Sequence, residues 1–125
     1  MGIYFRDFGA LAPGEVQLRL ETAKRLTGRT DVGGKLLVTN QGVRYRADRV
    51  DRLLRGVSAD WACDLTDIAS VSVDPGGSRR LRGNGPAGLR RKLVILSQAG
   101  EEVRIVVADP DAVVSLIDSA MASGR

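Results

Sequence analysis

The sequence predicts an α+β fold, a bent antiparallel sheet or barrel of seven strands capped by one C-terminal amphipathic helix. Two observations lead to this prediction. Along most of the chain, short runs alternate apolar with polar residues between turn residues, which is the period of a strand. After Asp109-Pro110 the apolar residues recur at helical spacing instead. With 125 residues the chain has room for one modest core, so a single domain is expected.

The first strand is predicted directly after a lead-in of residues 1–13, so that the domain occupies residues 14–125. Its apolar and small residues stand at every second position, which is the period of a strand. They are Val16, Leu18, Leu20 and Thr22. A helix would place Val16 and Leu20 together but leave Leu18 on the far side, so a strand is favoured. The stretch that follows, residues 28–34, contains three glycines and is predicted to be a loop.

Six further strands are predicted from similar runs. They are Lys35–Thr39, Val43–Ala47, Trp61–Leu65, Ile68–Asp74, Lys92–Leu96 and Val103–Val107. Turn residues join the first two of these into one hairpin and the last two into another. The helix is predicted over Pro110–Ala122. Asp109 suits its N-cap, Pro110 the first helical position, and Asp111 the positive end of the helix dipole.

The cysteine and histidine content excludes several kinds of site. The chain has one cysteine and no histidine, so an internal disulfide cannot form and a structural zinc site lacks its usual ligands. Cys63 alternates with Trp61 and Leu65, and a thiol that points inward in this way is expected to be inert. Asp64 and Asp67 flank a tight turn, where aspartate is common for conformational reasons. No cofactor, metal site or enzymatic activity is expected.

A strongly basic segment lies between the fifth and sixth predicted strands. It reads RRLRGNGPAGLRRK over residues 79–92 and contains no acidic residue. The candidate ligand-binding residues are Arg79, Arg80, Arg82, Arg90, Arg91 and Lys92, and the candidates for loop flexibility are Gly83, Gly85 and Gly88. The formal net charge of the chain is +4, so these cations supply more than the whole excess. A local excess of this kind attracts an anionic partner better than a diffuse charge does.

Interpretations of the basic segment differ in what they require of the chain. A dinucleotide cradle needs a helix after the glycines, but a strand pattern follows here and Pro86 removes an amide, so this interpretation is rejected. A solvated hairpin connection and an anion-binding surface both stay open, because arginine keeps loops soluble and also binds phosphate through two N–H groups. Nucleic acid is disfavoured as a partner, since single-strand binders stack bases on aromatic side chains and none lies in the segment.

Several motifs are informative through their order along the chain. They are Gly14-Glu15 at the start of the first strand, GKLLVTNQGVRYR at residues 34–46, Trp61, DLTDIASV at residues 64–71, and the final helix. Together they resemble a GRAM domain of the pleckstrin-homology-like (PH-like) superfold. The resemblance implies a seven-stranded bent sheet or barrel with the C-terminal helix at one end. It also implies a binding module for membrane lipids or proteins, and it transfers no ligand residue to this sequence.

The sequence therefore favours a non-enzymatic module that engages anionic membrane lipid head groups or acidic partner surfaces through the basic segment. The alternative is a protein-interaction or homo-oligomerisation module without a lipid ligand. Neither a targeting signal nor a transmembrane segment is expected, which predicts a cytoplasmic protein, peripheral at the inner membrane face under the lipid hypothesis. The preference for arginine over lysine, with much Ala, Val and Gly, is associated with GC-rich bacterial genomes.

Overall fold

The computed structural model describes residues 11–27, 30–48, 60–75 and 90–123 of the chain, which form seven strands and one α-helix. The strands are β1 Gln17–Thr27, β2 Thr30–Thr39, β3 Gly42–Ala47, β4 Trp61–Asp64, β5 Ile68–Asp74, β6 Lys92–Ser97 and β7 Glu102–Val106. The helix α1 spans Pro110–Ser123, and a 3₁₀ helix at Leu65–Asp67 joins β4 to β5. Among the described residues, a helix with the length and hydrophobicity needed to span a bilayer does not occur.

The seven strands form one antiparallel sheet in the order β4-β3-β2-β1-β7-β6-β5. Its edges, β4 and β5, are consecutive in sequence, but within the described ranges no ladder joins them. The sheet is therefore open and does not close into a barrel. The predicted α+β class, with seven strands and a C-terminal helix, is confirmed.

One core lies between the two halves of the sheet and α1. Every strand contributes to it, and α1 adds Val113 and Ile117, which stand four residues apart on one helix face. Leu116, Ala120 and Met121 pack against the same cluster while partly exposed. Each fully buried side chain of this size stabilises the fold by about 1.5–3 kcal/mol. Burial of this face explains why the helical period of the sequence located α1 correctly.

The strand predicted at the start of the domain is confirmed as β1, but its alternating residues are not buried together. A register shift between Gln17 and Arg19 marks a β-bulge at Leu18, which breaks the alternation of faces. Val16 is 55% exposed and Leu18 40% exposed, and Thr22 is also exposed. The buried positions are instead Ala23 and Leu26. Periodicity alone does not reveal a bulge, because the inserted residue looks like any other member of the run.

The predicted loop at residues 28–34 is wrong over most of its length, since β2 already begins at Thr30. Gly34, within β2, serves close packing. A side chain at Gly34 would place its Cβ 2.2 Å from the backbone oxygen of Arg46 and 2.6 Å from the Tyr45 hydroxyl. That hydroxyl donates a hydrogen bond to the backbone oxygen of Val32. Gly34 is therefore a position where neighbouring strands leave no room for a Cβ atom.

The start of α1 agrees with the cap predicted from the sequence. The carboxylate of Asp109 accepts a hydrogen bond from the backbone N–H of Ala112, with a distance of 3.1 Å between N and Oδ1. This is the N-cap geometry that satisfies one of the free N–H groups of the first turn. Pro110 then occupies the first helical position.

Candidate functional site

The structure describes three of the six predicted basic ligand residues. Arg90, Arg91 and Lys92 lie at the start of β6, where the chain re-enters the sheet. The other candidates, Arg79, Arg80, Arg82, Gly83, Gly85 and Gly88, lie outside the described residues. The predicted cluster can therefore be placed only at this end.

Lys92 is not on the surface where the prediction placed it. Its side chain is 0% exposed, and its Nζ lies 4.0 Å from Oδ2 of Asp74, its partner in the β5–β6 ladder. The same carboxylate oxygen accepts a hydrogen bond from Nη1 of Arg104 at 2.9 Å. Burial lowers the pKa of Lys92; the charge of Asp74 opposes this shift, and that of Arg104 adds to it. A lysine held inside in this way is a structural partner of Asp74 and not a phosphate ligand.

Arg90 and Arg91 both face solvent. Arg90 is exposed, and the Arg91 side chain is 53% exposed. Nη2 of Arg91 lies 2.5 Å from Oδ2 of Asp111 in the first turn of α1. Exposed ion pairs contribute only about 0–1 kcal/mol, so this contact is readily exchanged for another anion.

The Gly14-Glu15 motif forms a clasp between the lead-in and the β2–β3 hairpin. Oδ1 of Asn40 accepts a hydrogen bond from the backbone N–H of Val16 at 2.7 Å. One oxygen of the Glu15 carboxylate accepts the Thr39 hydroxyl at 2.7 Å, and Nη2 of Arg44 reaches both oxygens at 2.7 and 2.8 Å. Gly14 precedes it with a φ of 78°, a left-handed conformation that favours glycine. The clasp holds the fold together and leaves no carboxylate oxygen for a ligand.

Cys63 lies on the inward side of β4, as its alternation with Trp61 and Leu65 predicted. It packs against the core while partly exposed. Burial raises its pKa, and the negative charges of Asp67, Asp64 and Glu101 raise it further. The thiol therefore stays protonated at neutral pH, which lowers its nucleophilicity.

A groove that the sequence did not reveal lies at the C-terminal end of α1. It consists of two adjoining cavities of about 580 and 410 Å³ that share Asn40 and Ala120. We call it the α1 groove. Its other lining residues are Gln41, Asp64, Leu65, Thr66, Ile68, Gln98 and Met121 in the larger cavity, and Leu18, Leu116, Ser119 and Ser123 in the smaller. The sequence missed it because its lining residues come from parts of the chain that are distant in sequence.

Acidic and thiol side chains do not cluster in the part of the chain that the structure describes. Within those ranges, no three Cys, Asp or Glu side chains come together as a cation site would require. The two predicted turn residues behave as turn residues. Asp64 precedes the 3₁₀ helix and Asp67 ends it.

Comparison with known proteins identifies the fold and no closer relationship. No protein-family model matches the sequence, and no curated protein matches it significantly. The C-terminal domain of an unknown protein from Leishmania infantum is similar in structure, with a TM-score of 0.66 and 14% identity over 97% of this chain and 96% of that one. The Vps36 N-terminal PH domain is similar with a TM-score of 0.62 and 17% identity over 91% of this chain and 84% of that one. The hSac2 domain from human phosphoinositide phosphatase Sac2 is similar with a TM-score of 0.61 and 14% identity over 91% of this chain and 74% of that one. These similarities identify the fold as PH-like.

Proposed function

We propose that this PH-like domain is a non-enzymatic binding module that attaches to anionic membrane surfaces through the segment between β5 and β6. We call residues 79–91 the arginine segment. The observation that carries the proposal is its composition, five arginines and no acidic residue, in a chain whose net charge is +4. Lys92 is left out because it is buried.

The fold supports this proposal by fixing both ends of the arginine segment. Asp74 and Lys92 are ladder partners at the end of the β5–β6 hairpin, so the chain leaves and re-enters the sheet at one place. At the re-entry, Arg90 and Arg91 are exposed. Two strands that hold the base of a basic segment keep its charges within one region of the surface, which strengthens the local potential.

The expected binding is reversible. A basic residue near an anionic bilayer contributes about 1 kcal/mol, so five give on the order of 5 kcal/mol. Such binding weakens steeply as salt screens the charges. The arginine segment can therefore hold the domain at a membrane in a dilute buffer, but it does not act as a permanent anchor.

Within the PH-like fold, we assign the chain to the GRAM group. The support is the structural role of the motif residues. Glu15 ties the lead-in to Thr39 and Arg44, both of which belong to the hairpin motif at residues 34–46. The motifs therefore work together in the structure, as expected if they belong to one inherited pattern.

The proposal is tested by co-sedimentation with vesicles of phosphatidylcholine, with and without phosphatidylserine. We expect the wild type to bind only the phosphatidylserine vesicles. The variant Arg90→Ala with Arg91→Ala should bind clearly more weakly. A matched variant with the same loss of charge, Lys24→Ala with Arg46→Ala, should bind nearly as well as the wild type.

Two results would overturn the proposal. One is a wild type that stays in the supernatant with phosphatidylserine vesicles at low salt. The other is equal loss of binding in the two double variants, because this would trace binding to net charge and not to the arginine segment. Circular dichroism of each variant verifies that it is folded.

A further inference from the structure

We infer that the α1 groove is a docking site for a short peptide segment of a protein partner, one that carries apolar side chains next to arginine or lysine. This inference does not depend on membrane binding by the arginine segment. It rests on the shape of the groove, on its exposed apolar side chains and on the sign of its charge.

The groove runs between the start of β1 and the last turns of α1. Leu18 lines one side, and Leu116 and Ala120 of α1 line the other. Asn40 belongs to both cavities, so the two are continuous beside the β2–β3 turn. The larger cavity extends to Ile68, the first residue of β5. An elongated depression with these walls accommodates an extended segment.

Exposed apolar side chains mark this end of the molecule. In the part of the chain that the structure describes, the large hydrophobic residues with high exposure are Val16 and Leu18, at 55% and 40%. Leu18 lines the groove directly, and the backbone of Val16 exchanges hydrogen bonds with Asn40, another lining residue. Aliphatic side chains left in water beside a concave surface gain free energy when a partner covers them, about 25 cal/mol per Å².

The charge of the groove decides the chemistry of the partner. Asp64 is the charged residue among the described lining residues, and no Lys or Arg accompanies it there. Its side chain is exposed and makes no cap hydrogen bond to the 3₁₀ helix, so its carboxylate is not used by the fold at that position. A single exposed carboxylate among otherwise uncharged lining residues favours a segment that brings a cation next to its apolar side chains.

The size of the groove favours a short segment over a second folded copy. A standard protein interface uses about 20–30 residues on each side. The α1 groove offers about half of that in lining residues. A peptide can bury its apolar side chains against Leu18, Leu116 and Met121 and direct a cation towards Asp64. Grooves of this kind give specificity through a few anchor side chains.

The test selects ligands from a displayed library of random short peptides on the full chain. We expect the recovered peptides to combine Leu, Ile or Phe with Arg or Lys. Affinities are then measured by fluorescence anisotropy with labelled synthetic copies. Ser119→Trp fills the groove from an exposed helix position and should weaken binding at least about tenfold, a loss of about 1.4 kcal/mol. Ser115→Trp, also exposed on α1 but outside the lining, should leave binding unchanged.

A second pair of variants tests the charge. Asp64→Asn should weaken binding by roughly threefold and reduce its salt dependence, in keeping with an exposed ion pair. Asp118→Asn removes the same charge from an exposed helix position outside the lining and should have little effect. Vesicle binding of Ser119→Trp should equal that of the wild type, so this inference and the proposed membrane function can fail separately.

Three results would overturn the inference. Peptides that bind Ser119→Trp as tightly as the wild type would place the binding site elsewhere. Recovered peptides rich in Asp and Glu would contradict the charge argument. A wild-type dimer that Ser119→Trp converts to a monomer would show that the occupant is a second copy of the chain.

Discussion

Glu15 is the residue whose chemistry affects the fold most directly. Its carboxylate is buried at the start of the sheet and accepts hydrogen bonds from the Ala12 N–H, the Thr39 hydroxyl and the Arg44 guanidinium. Burial raises its pKa, but these three hydrogen bonds and the Arg44 charge outweigh burial, so the pKa lies below its ordinary value. Ionisation of Glu15 is thus more favourable in the folded than in the unfolded chain.

A pH dependence follows from the lowered pKa of Glu15. Its stabilisation is fully present above the unfolded pKa of about 4.3 and is lost as the pH falls through the lower folded pKa. We expect Glu15→Gln to lower the free energy of unfolding by about 1–3 kcal/mol at neutral pH, because it leaves part of the Arg44 and Thr39 bonding unsatisfied. In urea unfolding, the difference in free energy of unfolding between the wild type and Glu15→Gln should narrow as the pH drops below about 4.

The control for this experiment is Glu102→Gln. Glu102 is exposed and contacts Arg104 on its own strand, so its loss should change the free energy of unfolding by less than about 0.5 kcal/mol. A difference in free energy of unfolding between the wild type and Glu15→Gln that stays constant through the acid range would contradict the assigned role of the carboxylate.

Lys92 shows why single residues of a site are hard to predict from sequence. Its neighbours Arg90 and Arg91 are exposed, and nothing in the run RRK separates the third cation from the first two. In the fold, Lys92 lies beside its ladder partner Asp74, which also binds Arg104 on the neighbouring strand β7; neither residue is near Lys92 in sequence. Sequence patterns locate a charge along the chain, but the register of the sheet decides which charge it meets.

At the scale of the elements, β2 carries a clear packing constraint at Gly34. A Cβ there would meet the backbone oxygen of Arg46 at 2.2 Å and the Tyr45 hydroxyl at 2.6 Å. We expect Gly34→Ala to lower the free energy of unfolding by about 2–3 kcal/mol, because the ladder between β2 and β3 must move apart. Denaturant unfolding measures this loss.

The double variant Gly34→Ala with Tyr45→Phe separates the two contacts. Removing the hydroxyl relieves one overlap but not the one with the backbone, so the double variant should recover only part of the loss attributable to Gly34→Ala. Full recovery would mean that the backbone contact is unimportant. A neutral Gly34→Ala would contradict the close approach of the strands.

The sequence predicted most elements and missed features that depend on neighbouring strands. Alternating runs and turn residues placed β3 to β7, and the N-cap Asp109 with the helical period placed α1. The bulge at Leu18 and the strand character of the glycines in β2 were not visible, because both arise from pairing between strands. The same limit hid the α1 groove, whose walls come from five separate parts of the chain.

At the scale of the whole molecule, the α1 groove and the point where the arginine segment re-enters the sheet lie at opposite ends of α1. The arginine segment re-enters the sheet beside the first turn of the helix, where Arg91 meets Asp111. The α1 groove lies beside the last turns, at Ala120 and Met121. A helix of 14 residues is roughly 20 Å long. We therefore expect a membrane bound through the arginine segment to leave the α1 groove accessible to a protein segment.

The most direct test of membrane attachment is the salt dependence of vesicle binding by the full chain. Binding to phosphatidylserine vesicles is measured over a range of salt concentrations for three proteins: the wild type, a variant with the five arginines of the arginine segment changed to Ala, and one with the same five changed to Lys. We predict binding by the wild type and the Lys variant that falls steeply with salt, and none by the Ala variant. Wild-type binding that is independent of salt, or an Ala variant that binds like the wild type, would contradict the account.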